Sequence, residues 1–356
     1  MSVSRIRQSR RRAALITGGA GFIGTNLAHR LFREGRPVRI YDNLGRPGTE
    51  QNLRWLRAAY GSRFQLHRGD VRSGAGLRAA LDDVDTVFHL AAQVAVTTSL
   101  ADPREDFAVN AAGTLNLLEE IRATGRHIAV VFTSTNKVYG ALDDIPLVAS
   151  STRYHPALDL RGITEARPLS FHSPYGCSKG TADQYVLDYA RSYTVNATVF
   201  RMSCIYGPHQ YGTEDQGWVA HFLIRAQQDL PITVYGDGRQ VRDLLYVDDL
   251  VDALLRAEEH LPDIAGEAFN IGGGPGNSVS LLELLERITA LNNFSPRLTY
   301  GPWRAGDQRW YVSDTGKFED ATGWRPKTDV EAGLRQLHAW ISTNCGPAAS
   351  TRVVGL

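Results

Sequence analysis

The sequence predicts an α/β fold: a doubly wound parallel sheet with a smaller, partly interleaved α+β lobe towards the C-terminus. Three observations predict it. Short apolar runs alternate with stretches of helical spacing up to about residue 202; a glycine cluster stands between the first run and the first such stretch; and the alternation blurs from about residue 203. Strands separated by helices favour a parallel sheet covered on both faces, since each crossover lays a helix back over it.

The run AALITGG (13–19) reads as a buried strand entering a tight turn. FIGTNLAHRLFREG (22–35) sets Phe22, Leu27 and Leu31 on one helical face, and Gly35 closes it. PVRIYDN (37–43), FQLHRGD (64–70), TVFHLAA (86–92), IAVVFTST (128–135) and NATVFRM (196–202) read as further strands, with helical patterns between them such as NAAGTLNLLEEIRAT (110–124). Beyond them, SCIYGPHQYGTEDQGW and YGDGRQVRD read as loops, while VDDLVDALLRAEEH (247–260) and SVSLLELLERITALN (278–292) read as helices. The expected organisation is a disordered basic tail over 1–12, a sheet domain over 13–202, and a smaller lobe over 203–345, with 240–272 returning to the sheet domain.

Charge and cysteine content exclude several classes. The net charge of +1 gives no general attraction to nucleic acid or to a membrane surface. No apolar run reaches the ~20 residues of a membrane span, and the basic head SVSRIRQSRRR lacks the apolar stretch of a targeting signal. Cys177, Cys204 and Cys345 are too few and too scattered for a disulfide framework or a metal site, so a reduced, cytoplasmic setting is expected. Asp243, Asp248 and Asp249 could suggest a metal cluster, but RDLLYVDDL reads better as a strand-to-helix passage with Asp248 as cap; no metal is expected. The sequon at Asn196 falls in an expected buried strand and is set aside.

TGGAGFIG (17–24) contains Gly19-x-Gly21-x-x-Gly24 and Gly18-x-x-Gly21-x-x-Gly24. A glycine triplet alone is a weak signal; one that follows a strand and opens a helix is informative. Such a loop lets the backbone approach a pyrophosphate, whose charge meets the free N–H groups of the helix start. A Rossmann-type dinucleotide site is therefore expected, with Gly18, Gly21, Phe22 and Ile23 in contact. Asp42, 18 residues beyond Gly24, is placed for the ribose hydroxyls, with Asn43 beside it. A 2′-phosphate there would meet like charge, which favours NAD, while nearby Arg46 leaves NADP open. Asp70 and Val71 follow the third strand at the adenine edge, and Leu90, Ala91 and Ala92 end the fourth, where small residues let the backbone close on the cofactor.

In FHSPYGCSKG (171–180), Tyr175 and Lys179 lie four apart and share a helical face. An ammonium ~4 Å from a phenol at an effective dielectric of ~20 favours the phenolate by ~4 kcal/mol. That would bring a tyrosine from ~10 to near ~7, suited to a general base that takes a hydroxyl proton while hydride leaves for the cofactor. Such pairs are common on helix surfaces. What singles this one out is FTSTNKVYG (132–140), at the carboxyl end of a central strand, where open parallel sheets bind ligands. Thr135 there could share the substrate proton. Gly176 and Ser178 suggest no chemistry, and Cys177 is expected to be a packed thiol.

Together the glycine loop, Thr135 and Tyr175-x-x-x-Lys179 resemble the extended short-chain dehydrogenase/reductase family of sugar-nucleotide enzymes, over about residues 13–340. NAAGT (110–114), RMSCIYGP (201–208), GDGRQVRDLLYVDD (236–249) and NIGGG (270–274) carry the same resemblance. It implies bound NAD, a catalytic trio of Thr135, Tyr175 and Lys179, and Asn110 in the supporting hydrogen-bond network. Dehydratases of the family carry Asp-Glu directly after the strand-end threonine; Asn136 and Lys137 stand here, so dehydration is not expected. The family's 3,5-epimerases need a Cys/Lys pair whose spacing Cys177 does not match. STNKVYG, SFHSPYGCSKG, ADQYVLDYAR, EDQGWVAHF and the long segment 151–170 resemble the 2-epimerases of CDP-linked deoxyhexoses. The implied reaction is inversion at C2 through a 2-keto sugar. A UDP-sugar 4-epimerase with the same trio, and a catalytically silent NAD-binding protein, are the alternatives. Substrate binding is expected from Asn136, Lys137, Gln210, Gln216, Trp218, Gln240, Arg242, Arg304 and Asp307. Arg242 and Arg304 suit a diphosphate, whose oxygens match the guanidinium fork, and Asp307 a ribose hydroxyl. Helical pairing of protomers in the family implies a homodimer or homotetramer.

Overall fold

Seven parallel strands form the central sheet in the computed structural model, which describes residues 12–345. The tail expected over 1–12 lies outside the described residues except for Arg12. Across the sheet the order is Ala268–Ile271, Ala197–Met202, Ala129–Thr135, Val84–His89, Ala13–Thr17, Val38–Asp42, Gln65–Arg68. All five residues of Ala13–Thr17 are buried, as a strand covered on both faces requires. The chain winds outwards from this strand in one direction and then in the other. The switch point therefore falls between Ala13–Thr17 and Val84–His89, and a crevice opens at their carboxyl ends.

One face is covered by the helices Phe22–Arg33 and Val247–Ile264, through Leu27, Leu31, Leu250 and Leu254. The other is covered by Gly113–Ala123 and Ser173–Ser192, through Leu117, Leu118, Ala182 and Val186. In the smaller lobe, Val241–Tyr246 pairs with Cys204–Tyr206, Ser278–Ser280 and Trp310–Tyr311, and Ile232–Tyr235 pairs with Leu298–Gly301. The helices Trp218–Gln227, Leu281–Asn292 and Val330–Asn344 pack on these strands through Leu223, Leu284 and Leu334.

Three sequence expectations need correction. Val241, Arg242 and Asp243, expected in a loop, belong to a strand, and so do Cys204, Ile205 and Tyr206. The helix expected from residue 278 starts at Leu281: Ser280 caps it and Glu283 returns the bond in a capping box, leaving Ser278–Ser280 free to pair as a strand. Asp248 is not a cap. Tyr246 holds that position and Asp248 lies in the first helical turn, where a carboxylate still complements the helix dipole. At the sequon, Thr198 is fully buried within the strand Ala197–Met202.

Candidate active site

A cavity of about 350 Å³ opens at the carboxyl ends of the central strands, a size suited to a small-molecule ligand. The sheet domain lines it with Phe22, Ile23, Leu90, Ala92, Thr135, Asn136, Lys137, Tyr175 and Lys179. The smaller lobe lines it with Gln210, Gln216, Trp218, Gln240, Arg242, Arg304 and Asp307.

The glycine loop presses on the neighbouring strand end. Gly18 has φ +68, and a Cβ there would meet the backbone nitrogen of Ala91 at 2.8 Å; only glycine allows this approach. Gly21 precedes the helix Phe22–Arg33, which has neither a side-chain cap nor an acidic residue in its first turn. Its unpaired N–H groups are thus left for an anion. Asp42 is buried behind the loop, accepting from the backbone N–H of Ala20 at 3.0 Å and of Leu44 at 2.8 Å. Burial pushes its carboxyl pKa up, and its remaining lone pairs can still accept ribose hydroxyls. Asn43 donates to Asp70 at 2.9 Å, and the Arg72 guanidinium on Asp70 holds that carboxyl well below the usual range. The Arg46 charge acts on both Asp42 and Tyr175. These features fit a dinucleotide whose diphosphate sits on the uncapped helix end.

Thr135 ends its strand, and its Oγ1 accepts from the backbone N–H of Lys137 at 3.3 Å, starting the tight turn Asn136–Tyr139. Tyr175 lies in the first turn of Ser173–Ser192, its backbone N–H donating to Ser99 Oγ at 3.1 Å. Gly176 brings this helix against the strand-end turn: a Cβ there would lie only 3.3 Å from the Lys137 carbonyl oxygen. Lys179 is buried, donating to the Thr133 carbonyl at 2.6 Å, with its ammonium 4.3 Å from the Phe132 ring centre.

The phenol does not have the low pKa expected from spacing. Burial pushes Tyr175 up to about 12, while the Thr135 hydroxyl and Arg46 pull it down. Burial likewise brings Lys179 down to about 7, against Asp183 and Asp106. Desolvation dominates both groups, and the charges acting on the phenol are those of Asp106 and Arg46, not that of Lys179, whose ammonium is turned to the Thr133 carbonyl.

Asn110 does not line the cavity. It lies in a π-helical turn, Ala108–Ala112, accepting from Gln93 N–H at 2.9 Å and donating to Ser178 Oγ at 3.0 Å. Ser178 in turn donates to the fully buried Asp106. Ser178, to which the sequence assigns no chemistry, thus ties the tyrosine helix to this turn, and no local sequence signal points to Asp106. Cys177 is exposed, not packed.

On the lobe wall, Arg242 is buried and donates to Asp307 at 2.6 Å. Arg304 is held apart from that pair. Its guanidinium lies 3.8 Å over the Tyr235 ring, and it donates to the Glu214 carbonyl at 2.8 Å. Lys137 shares Asp307 instead: its Nζ lies 3.9 Å from Oδ1 and donates to the Gly306 carbonyl at 3.0 Å. Gln210 and Gln240 donate to the carbonyls of Ile205 and Tyr235, and each leaves its Oε1 without a partner among the described residues. Asn136 donates to Gln308 at 3.4 Å, and Trp218 to the Cys204 thiol at 3.4 Å.

Residues 14–272 match the sequence model of the NAD dependent epimerase/dehydratase family. The chain belongs to that family. It is therefore an NAD-dependent enzyme, as the glycine loop and Asp42 led one to expect. It is 42% identical over 336 residues to the CDP-paratose 2-epimerase of Salmonella typhi, covering 92% of this chain and 99% of that one. Among solved structures, the UDP-glucose 4-epimerase of Thermus thermophilus in complex with NAD is 32% identical, with a TM-score of 0.77 over 92% of this chain and 98% of that one. The UDP-glucuronic acid 4-epimerase of Bacillus cereus, in complex with UDP-glucuronic acid and NAD, is 27% identical, with a TM-score of 0.79 over 93% and 99%. Among the described residues of this family member, no helix is long and apolar enough to cross a membrane.

Proposed function

We propose that this family member inverts C2 of a CDP-linked deoxyhexose of the paratose/tyvelose type, through a 2-keto sugar. The observation that carries the chemistry is that Thr135, Tyr175 and Lys179 share one cavity with Arg242 and Asp307. The likeness to a CDP-sugar 2-epimerase along nearly the whole chain supports the choice of carbon and nucleoside.

Bound NAD supplies the hydride acceptor and, since the cycle has no net redox change, the hydride donor. The uncapped start of Phe22–Arg33 would hold its diphosphate, Asp42 the adenosine ribose and Lys179 the nicotinamide ribose. Tyr175 takes the proton of the C2 hydroxyl, with Thr135 beside it to share that proton, and returns it once the keto sugar has turned its other face. Burial raises the phenol's pKa, and the Thr135 hydroxyl and the Arg46 charge act against it. Asn136 and Lys137 offer an amide and an amine rather than an acid and base for water loss, which supports epimerisation. Asn110 and Ser178 position the tyrosine helix. Gln210, Gln216, Trp218 and Gln240 are left for the nucleoside and Arg242 for the diphosphate.

The reading extends to a cytoplasmic homodimer or homotetramer. Cys177, Cys204 and Cys345 are all free, and Leu100, Phe107 and Tyr185 are exposed on helices that pack together. The test is to incubate the NAD-loaded protein with CDP-paratose, CDP-tyvelose and UDP-glucose and to locate the inverted carbon by NMR. Interconversion of the first two is expected. Inversion at C4 and none at C2 would overturn the reading, and tight NAD binding without any turnover would favour a silent NAD-binding protein.

A further inference from the structure

In a hexose linked to a nucleoside diphosphate, C2 neighbours the anomeric carbon that carries the phosphate, whereas C4 lies across the ring. Reaction at C2 therefore brings the sugar-bearing phosphate close to the catalytic hydroxyls; reaction at C4 holds it away. A cation beside the strand-end threonine would therefore meet that phosphate in a site built for C2, and would not in a site built for C4.

Such a cation is present. Lys137 follows Thr135 by two residues and donates its backbone N–H to the threonine hydroxyl, so one tight turn fixes both. Its side chain lines the cavity and crosses to the smaller lobe, where Nζ donates to the Gly306 carbonyl at 3.0 Å and lies 3.9 Å from Asp307 Oδ1. That same carboxylate oxygen accepts from Arg242 at 2.6 Å. Two cations thus converge on one acid, leaving one positive charge in excess in a partly buried place. Burial, with the Arg242 charge next, pulls the Lys137 amine down to about 8, as expected of an ammonium that lacks a full counter-charge. Arg304, held over Tyr235 and on the Glu214 carbonyl, does not join this group.

We propose that Lys137 determines which carbon reacts: its ammonium, together with Arg242, takes the sugar-bearing phosphate beside Thr135 and so draws C2, not C4, to Tyr175. This rests on the C2 reading above and names the residue that enforces it.

The experiment compares Lys137→Met, Lys137→Gln and Lys137→Arg with the wild type, each NAD-loaded. Binding of CDP and of CMP is measured by calorimetry, with UDP and UMP in parallel. CDP carries the second phosphate that Lys137 would hold, and CMP does not. The expected result for Lys137→Met and Lys137→Gln is a loss of roughly 10- to 100-fold in CDP affinity, the size of a lost hydrogen bond to a charged group. CMP affinity should stay unchanged, and Lys137→Arg should retain CDP. Equal losses for CDP and CMP would make Lys137 a structural brace of the 304–308 loop and overturn the proposal, and so would no loss for CDP. A wild type that prefers UDP, or that inverts C4, refutes the functional reading instead, and the unmutated protein alone shows this.

Discussion

On the sheet side of the cavity, Tyr175 and Lys179 stand on one helix and Thr135 on a strand end. They are buried and held by a backbone carbonyl, a serine hydroxyl and each other's elements. On the lobe side, Arg242 answers Asp307, while Arg304 answers the Glu214 carbonyl and the Tyr235 ring. The first set has its geometry imposed by regular structure. The second set holds charges that already have partners, which the proposed function has them exchange for a phosphate. The difference separates two tasks. Proton transfer needs atoms that stay in place, whereas binding a diphosphate needs charge that is available.

The largest expected effect comes from breaking the first set at its reacting atom. Tyr175→Phe should lower kcat by roughly 100- to 10,000-fold, the usual contribution of general acid–base catalysis, while NAD still co-purifies. Nucleotide released on denaturation and initial rates on the same sample check this; a wild-type rate in that variant ends the base assignment. Lys179→Met should lose activity and NAD retention together, because the proposed function gives its ammonium both tasks.

Next comes the scaffold behind that set. Asp183, on the tyrosine helix and fully buried, accepts twice from Arg201 at 3.0 Å, and Arg201 also donates to Tyr139. Asp183→Asn leaves a buried guanidinium without its counter-charge and should cost about 3–5 kcal/mol of stability, read from urea unfolding. No comparable loss is expected from Arg304→Gln on the lobe side, and equal losses in the two variants would erase the contrast.

The two sides were unequally legible in the sequence. The trio is visible because its signals are local: four residues along a helix, and a threonine where a strand stops. Ser178 was passed over because its partners, Asn110 and Asp106, lie 68 and 72 residues away. The exposure of Cys177 follows from the helix itself, since a side chain two positions from Tyr175 points to the opposite side. The phenol's acidity was misjudged because spacing reveals a neighbouring charge but not the loss of water around both groups. On the lobe side, Arg242 reads as loop from the sequence because its strand forms only by pairing with Cys204–Tyr206, Ser278–Ser280 and Trp310–Tyr311, all distant in sequence.

A smaller change sharpens the positioning role of Ser178. Ser178→Ala removes the donor to buried Asp106, worth about 1–3 kcal/mol when left unpaired, while Asn110 keeps the Gln93 carbonyl and Asp106 as acceptors. Part of that loss should appear as lower stability, and part as a fall in kcat of roughly tenfold with KM and NAD content unchanged. Ser178→Thr keeps the hydroxyl and should restore most of the rate, which a merely space-filling serine would not require.

The smallest expected effect is a pH dependence where the two sides meet, at Lys137. Its ammonium faces Arg242 from the strand Val241–Tyr246, Asp307 from the 304–308 loop and Cys204 from Cys204–Tyr206. Burial pushes the Cys204 thiol up, so it adds no charge near neutrality. The amine, drawn down to about 8, is charged below that pH and neutral above it. A group that binds phosphate only when charged therefore keeps its contribution below about pH 8 and loses it above. KM for the sugar nucleotide should rise roughly three- to tenfold between about pH 7 and about pH 9, following the loss of the protonated fraction. At saturating substrate bound phosphate favours the Lys137 ammonium, so a change in kcat over this window reports Lys179, brought down to about 7, and not Lys137. Lys137→Arg, with a side chain that stays charged throughout, should flatten the KM profile. A rise in KM of equal size in that variant would place the titrating group elsewhere and leave Lys137 on the lobe side as a tie between Thr135 and the 304–308 loop.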